Sequence, residues 1–194
     1  MSDVRPGSPL RPRQTQTAPV PWSPAGLAGL LLIVAANLFP GSTSTMSQED
    51  DAFAEPRREM IEAIKASVRD SASYTGRDRL SDRVIEAMAT VPRHAFVPPE
   101  QRHVAYRNTP LPIDAGQTIS QPLIVALMTD LLEPQPDDII LEVGTGSGYQ
   151  AAVLSELVKQ VYSIEIIESL AGQARKVLAE RGYANVTVRA GDGY

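Results

Sequence analysis

The sequence predicts an α/β domain, a short parallel sheet preceded by a small helical region, and three observations predict it. From residue 138 onward, apolar runs of strand length, "IILEV", "QVYSIEI" and "NVTVRAG", alternate with helical periodicity over 149–159 and 168–181. Glycines occupy every second position of "LEVGTGSGYQ", between the first apolar run and its helix. Upstream, the apolar spacing is helical and no strand period is found. Two successive βαβ units with right-handed crossovers would set the strands side by side in the order third, second, first, one half of a doubly wound sheet. Three strands with the first left at an edge lack the other half of their crevice, so the chain is expected to be a fragment without its C-terminal half.

Composition narrows the function classes. The 194 residues are 43% hydrophobic, enough for one core. A net charge of -5 with scattered Lys and Arg offers no basic stripe for a phosphate backbone, so no nucleic-acid partner is expected. The chain has no cysteine and two histidines, which excludes disulfides and thiolate chemistry; no metal site is expected.

The chain divides near residue 50. Residues 1–24 are rich in Pro, Ser and Thr and cannot bury a core, so a disordered tract is expected over 1–50. Residues 25–39, "AGLAGLLLIVAANLF", are uncharged and of a length that suits a signal-peptide core better than a membrane span. Three readings stay open: a signal or membrane anchor, a misassigned start with Met46 as the true one, and a cytoplasmic extension.

The domain is expected over 51–194. A helix over 59–68 should bury Met60, Ile61, Ile64 and Val68. A second follows Ser81 as N-cap, with Val84, Ile85 and Met88 on one face, and stops at Pro92. Residues 92–117 are proline-rich and carry turn chemistry. His94 and His103 are expected there as surface residues, and Tyr106 as a packing anchor or as part of a peptide-binding lip. A third helix opens at "SQP", with Ser120 as cap, Pro122 in the first turn and a core face of Ile124, Val125, Met128, Leu131 and Leu132. "IILEV" is expected to be a buried parallel strand.

The glycine spacing discriminates between ligands. A dinucleotide fingerprint GxGxxG needs glycine at 149, where the chain has Tyr149. An acid two places before the first glycine gives (E/D)xGxGxG, through Glu142, Gly144, Gly146 and Gly148, which suits S-adenosyl-L-methionine. Its amino-acid end carries an ammonium and a carboxylate, which an acidic group and loop N–H donors could meet. Glu165, about twenty residues further on, is placed to accept both hydroxyls of a ribose. Asp192, at the third strand end, is placed to accept from an adenine amino group. Taken singly, each acid is as well explained as a solvated strand end; for the glycines a tight turn without ligand is the lesser alternative.

The stretches "VPRHAFVP", "YRNTPLPI", "GQTISQP" and "LEVGTGSGYQAAVLSELV" resemble the protein-L-isoaspartate O-methyltransferase family, from about residue 84 to the end. The resemblance implies a Rossmann-like class I methyltransferase fold, here the N-terminal helices plus the first three parallel strands. It implies transfer of a methyl group from S-adenosyl-L-methionine to the free carboxyl of L-isoaspartyl residues in aged proteins, which begins repair. It also implies that Ser120 is the active-site serine, that Thr118 and Ile119 line the cofactor pocket, and that Glu142, Gly144, Thr145, Gly146, Gly148, Glu165, Ile166, Asp192 and Gly193 bind the cofactor. The isoaspartyl carboxyl has a pKa of about 3.5 and is already ionised at neutral pH, so no base is required. Ser120 would orient it by a hydrogen bond of moderate strength.

The partners expected are isoaspartyl peptides and proteins, with membrane contact only through 25–39, and a monomer is expected. Localisation is expected to be cytoplasmic, where the cofactor is made, with export or anchoring as the alternative. A small-molecule methyltransferase and a non-catalytic nucleoside-binding module are the other functional readings.

Overall fold

The computed structural model describes residues 52–193. The N-terminal tract, its apolar stretch 25–39 and the Met46 start all lie outside the described residues. Helix α1 (Ala54–Asp70) buries the stripe Met60, Ile61, Ile64 and Val68, as its spacing predicts. Burying side chains of this size stabilises the fold by about 1.5–3 kcal/mol each. A single turn, α2 (Ala72–Thr75), ends at Gly76 in the left-handed region, φ 71°. Helix α3 (Asp82–Thr90) is capped by Ser81, whose hydroxyl accepts from the Val84 N–H at 3.4 Å, and it buries Val84 and Met88.

The proline-rich segment is more ordered and more buried than turn chemistry predicts. It forms 3₁₀ turns at Arg93–Phe96 and Pro99–Val104, then a hairpin of β1 (Leu111–Pro112) and β2 (Thr118–Ile119), with Leu111 opposite Ile119. Strands of two residues are too short to show a period, so nothing in the pattern could reveal them. His94, expected at the surface, is fully buried: it stacks on Phe53 at 4.2 Å, with Nδ1 2.9 Å from the Tyr106 hydroxyl. Tyr106 is the packing anchor of the two readings, 6% exposed, its hydroxyl accepting from Arg57 Nε at 3.2 Å. His103 is exposed.

Helix α4 (Pro122–Leu131) corrects the predicted face. It buries Val125, Ala126, Thr129 and Asp130, whereas Ile124, Met128, Leu131 and Leu132 are 40–61% exposed. Hydrogen bonding decides the orientation. The Thr129 hydroxyl donates to the Val125 carbonyl and accepts from Gln150 Nε2, and Asp130 Oδ1 accepts from the Ser81 N–H while Oδ2 faces Arg77 Nη1 at 3.3 Å, so both polar residues find partners inside.

The parallel sheet is β3 (Ile139–Val143), β4 (Gln160–Glu165) and β5 (Val186–Ala190), in that spatial order, with α5 (Tyr149–Ser155) and α6 (Glu168–Glu180) as crossovers. Val143 pairs with Ile164 and Glu165 with Ala190, so the strands finish together at one edge. Val161, Ser163 and Val188 are buried on the face that α5 and α6 cover. The other face is open. Ile139, Leu141 and Val143 are 63–69% exposed, so β3 is not the buried strand that its apolar run predicts. Among the described residues, no helix packs on that side to cover it.

Candidate functional site

β3 delivers the chain into a turn in which Gly144, Gly146 and Gly148 have φ of 93°, 54° and 89°. A side chain at these angles is strained, so the alternation of glycines answers first to backbone conformation. The turn is largely self-braced. Gly144 and Thr145 N–H both donate to the Ile164 carbonyl, Gly148 N–H to the Thr145 carbonyl, and Gly146 N–H to the Glu165 carboxylate at 2.8 Å. The expectation that the loop donors as a group await a ligand needs correction: of 144–148, the N–H of Ser147 is the one left among the described residues.

The acids converge where the strands end. Glu142 is half-buried and accepts a hydrogen bond from Ser163 Oγ, which lies 2.5 Å from Thr145 Oγ1. Burial pushes its carboxyl up to about 7, against the lowering effect of Ser163 and with a smaller upward push from Glu165. Glu165 is buried, and its second oxygen accepts from the Ile167 N–H at 2.9 Å. It therefore ties the glycine turn to the start of α6, with one lone pair on each oxygen still able to accept. Ile166, the next residue, is exposed, as is Asp192, two residues past the register partner Ala190. Gly193 is held to glycine by close approach, since a Cβ there would stand 2.7 Å from Val143 Cγ1.

The hairpin β1–β2 is a strap against this turn. Its Ile113 Cδ1 is 3.8 Å from the position a Cβ on Gly146 would take, and its Asp114 accepts from Gln173 Nε2 of α6 at 2.8 Å. Thr118 and Ser120 are exposed on the strap, while Ile119 is turned into the core. Ser120 is not the helix cap: the N-cap position of α4 is Gln121, with no side-chain cap bond. Among the described residues, the Ser120 hydroxyl makes no hydrogen bond. The main chain around it is pinned instead. Arg93 Nη2 donates to the Ser120 carbonyl at 2.8 Å, Asn108 Oδ1 accepts from the Leu123 N–H at 3.0 Å, and Gln121 Nε2 donates to the Asn108 carbonyl at 2.9 Å. Sequence reasoning missed Arg93, Asn108, Ser163 and Gln173. Only Arg93 left a signal, as a charge set between apolar residues in "TVPRHAFV". A cleft of about 530 Å³ adjoins the turn at Ser147, between Phe96, Ile113, Asp114 and Lys176; Glu142, Glu165 and Asp192 are not among its lining. The acids lie at the strand ends, outside that cleft.

Comparison with known proteins bears on the same residues. The family model described as Protein-L-isoaspartate(D-aspartate) O-methyltransferase (PCMT) matches residues 73–194. The chain belongs to the protein-L-isoaspartate O-methyltransferase family. Among its relatives, protein-L-isoaspartate O-methyltransferase 2 of Nitrosococcus oceani is 61% identical over 137 residues, 71% of this chain and 63% of that protein. The enzyme of the same name from Syntrophobacter fumaroxidans is 52% identical over 170 residues, 88% of this chain and 66% of that one. A solved protein-L-isoaspartate O-methyltransferase superposes with a TM-score of 0.59 at 26% identity, covering 71% of this chain and 43% of that one. A Plasmodium falciparum structure, described as a putative member of the family in complex with S-adenosyl-L-homocysteine, superposes with a TM-score of 0.51 at 21% identity, covering 67% of this chain and 63% of that one, a likeness of fold. The chain thus spans 63–66% of the length of the two curated family members. Its α/β architecture is that of the family's Rossmann-like methyltransferase fold. Among the described residues, no helix is long and apolar enough to cross a membrane.

Proposed function

We propose that the protein transfers the methyl group of S-adenosyl-L-methionine to the free carboxyl of L-isoaspartyl residues in damaged proteins, initiating their repair. The activity is proposed for a protein of the relatives' length. Family membership over 73–194 supports it, and one observation carries it. The strap bearing exposed Ser120 lies against the same glycine turn whose flanking acids end at one strand edge.

The donor set fits the proposed cofactor. Glu142, half-buried and with its carboxyl raised, gains from a nearby cation and so suits the ammonium; the Ser147 N–H suits the carboxylate. Glu165 would accept the ribose hydroxyls on its remaining lone pairs, Asp192 the adenine amino group, and Thr118, Thr145, Ile166 and Gly193 would line the pocket; the Ile119 side chain, turned into the core, supports the strap from behind. When bound, the cofactor supplies a methyl group activated by a sulfonium. The chain's own task is then alignment and exclusion of water. Ser120 Oγ, free of capping, donates to the isoaspartyl carboxylate and orients one oxygen for attack. No residue removes a proton, because the carboxylate arrives ionised. A lysine or arginine in place of Ser120 would hold charge on the oxygen and weaken its attack. We also propose a cytoplasmic monomer, where the cofactor is made.

The test is methyl transfer from labelled S-adenosyl-L-methionine to paired peptides, one L-isoaspartyl and one normal aspartyl, using a chain of the relatives' length. Base-labile label on the isoaspartyl peptide alone is the expected result. Cofactor binding without transfer to either peptide would keep the nucleoside site and discard the substrate.

A further inference from the structure

We propose that Arg93 is a positioning residue of the methyl-transfer site: its buried guanidinium locks the Ser120 carbonyl, the Ala105 carbonyl and the Tyr149 ring into one unit, fixing the Ser120 hydroxyl relative to the glycine turn. The proposal rests on the methyl-transfer reading of that site. Arg93 is completely buried at the start of the 3₁₀ turn after α3. Nε donates to the Ala105 carbonyl at 2.8 Å and Nη2 to the Ser120 carbonyl at 2.8 Å. The guanidinium carbon stands 4.8 Å from the ring centroid of Tyr149, the first residue of α5 and the neighbour of Gly148. Three segments distant in sequence meet on one planar cation.

A buried charge is costly, and a packing role alone is served as well by an apolar side chain of similar volume. What an apolar residue cannot do is hold two carbonyls at set directions. The guanidinium fork directs its donors in one plane and stacks on a ring with its face; an ammonium does neither with the same geometry. The Ser120 side chain, exposed and without a hydrogen bond among the described residues, owes its placement to the backbone that Arg93 and Asn108 pin. Small displacements of an aligning group carry large rate penalties, so the clamp acts on turnover rather than on cofactor affinity.

The test uses Arg93→Lys and Arg93→Ala in a chain of the relatives' length, with two readouts. Amide hydrogen exchange should quicken at residues 118–121 and Leu123 while core amides of α1 keep their protection. For Arg93→Lys, kcat on an isoaspartyl peptide should fall about tenfold or more with KM for S-adenosyl-L-methionine unchanged, and free guanidinium should restore part of the rate to Arg93→Ala. A merely structural arginine would lower protection in strap and core together, with kcat following the folded fraction, and that pattern overturns the proposal. So does unchanged protection at 118–121 in a folded Arg93→Lys. If the unaltered protein transfers no methyl group to the peptide, the repair reading fails, and the exchange pattern still judges whether Arg93 holds the strap.

Discussion

A carboxyl that sits half-buried at the end of β3, beside Ser163 and within the field of Glu165, gains little from ionising. Glu142 accordingly titrates near 7 in the folded protein against 4.5 without the fold. Between those values the native state binds the extra proton, so stability is greatest below about pH 4.5 on this group's account and declines as pH rises to about 7. Melting temperatures across that window should fall with pH, and Glu142→Gln should flatten the slope; an equal slope in the variant would remove Glu142 as its source. Ser120 offers the complementary case. Since its hydroxyl caps nothing, Ser120→Ala should leave stability within about 0.5 kcal/mol while turnover drops. A large loss in melting temperature would return the residue to a structural role. Both residues are singled out by the sequence, Glu142 by glycine spacing and Ser120 by the family motif, and both roles are proposals. The roles of Arg93 and Asn108 are not, because their partners lie 12 or more residues away and no local period records such contacts.

Elements are joined by a few buried polar contacts that periodicity cannot foresee. The start of α3 hangs on Asp130 of α4, whose Oδ1 accepts from the Ser81 N–H at 2.8 Å and whose Oδ2 lies 3.3 Å from Arg77 Nη1. Asp130→Ala strands a backbone donor and should cost about 1–3 kcal/mol in urea denaturation. Arg77→Ala should cost less, because the Ser81 N–H keeps its acceptor on Asp130 Oδ1. Equal losses would mean that the ion pair, and not the backbone bond, ties the helices. The same contact explains why α4 was misjudged. Its sequence has an apolar side and a mixed side, and the mixed side faces inward because Thr129 and Asp130 find partners there. For α1 and α3, which bury only apolar positions, the stripe was sufficient. Strand order, parallel pairing and the crossover helices were all readable from alternation, whereas the hairpin of the strap was too short to read.

A parallel sheet is stable with both faces covered, and in this chain the described residues cover one. Ile139, Leu141 and Val143 stand 63–69% exposed on the open face, with Tyr162 opposite Leu141 in register and itself 47% exposed. The outer edge of β3 has no partner strand among the described residues. An apolar face joined to an open edge is a template for association. The 194-residue chain should therefore bind a hydrophobic dye and associate as its concentration rises. Leu141→Lys should weaken both effects without lowering the melting temperature, because Leu141 buries little to lose. A chain of the relatives' length should show neither effect and should exceed the 194-residue chain in methyl transfer, since a strand paired along β3 would close its edge and a crossover helix on the open side would cover the face. Dye binding absent from both chains, with equal turnover, would mean that the open face is tolerated as it stands and that the described strands suffice for the site.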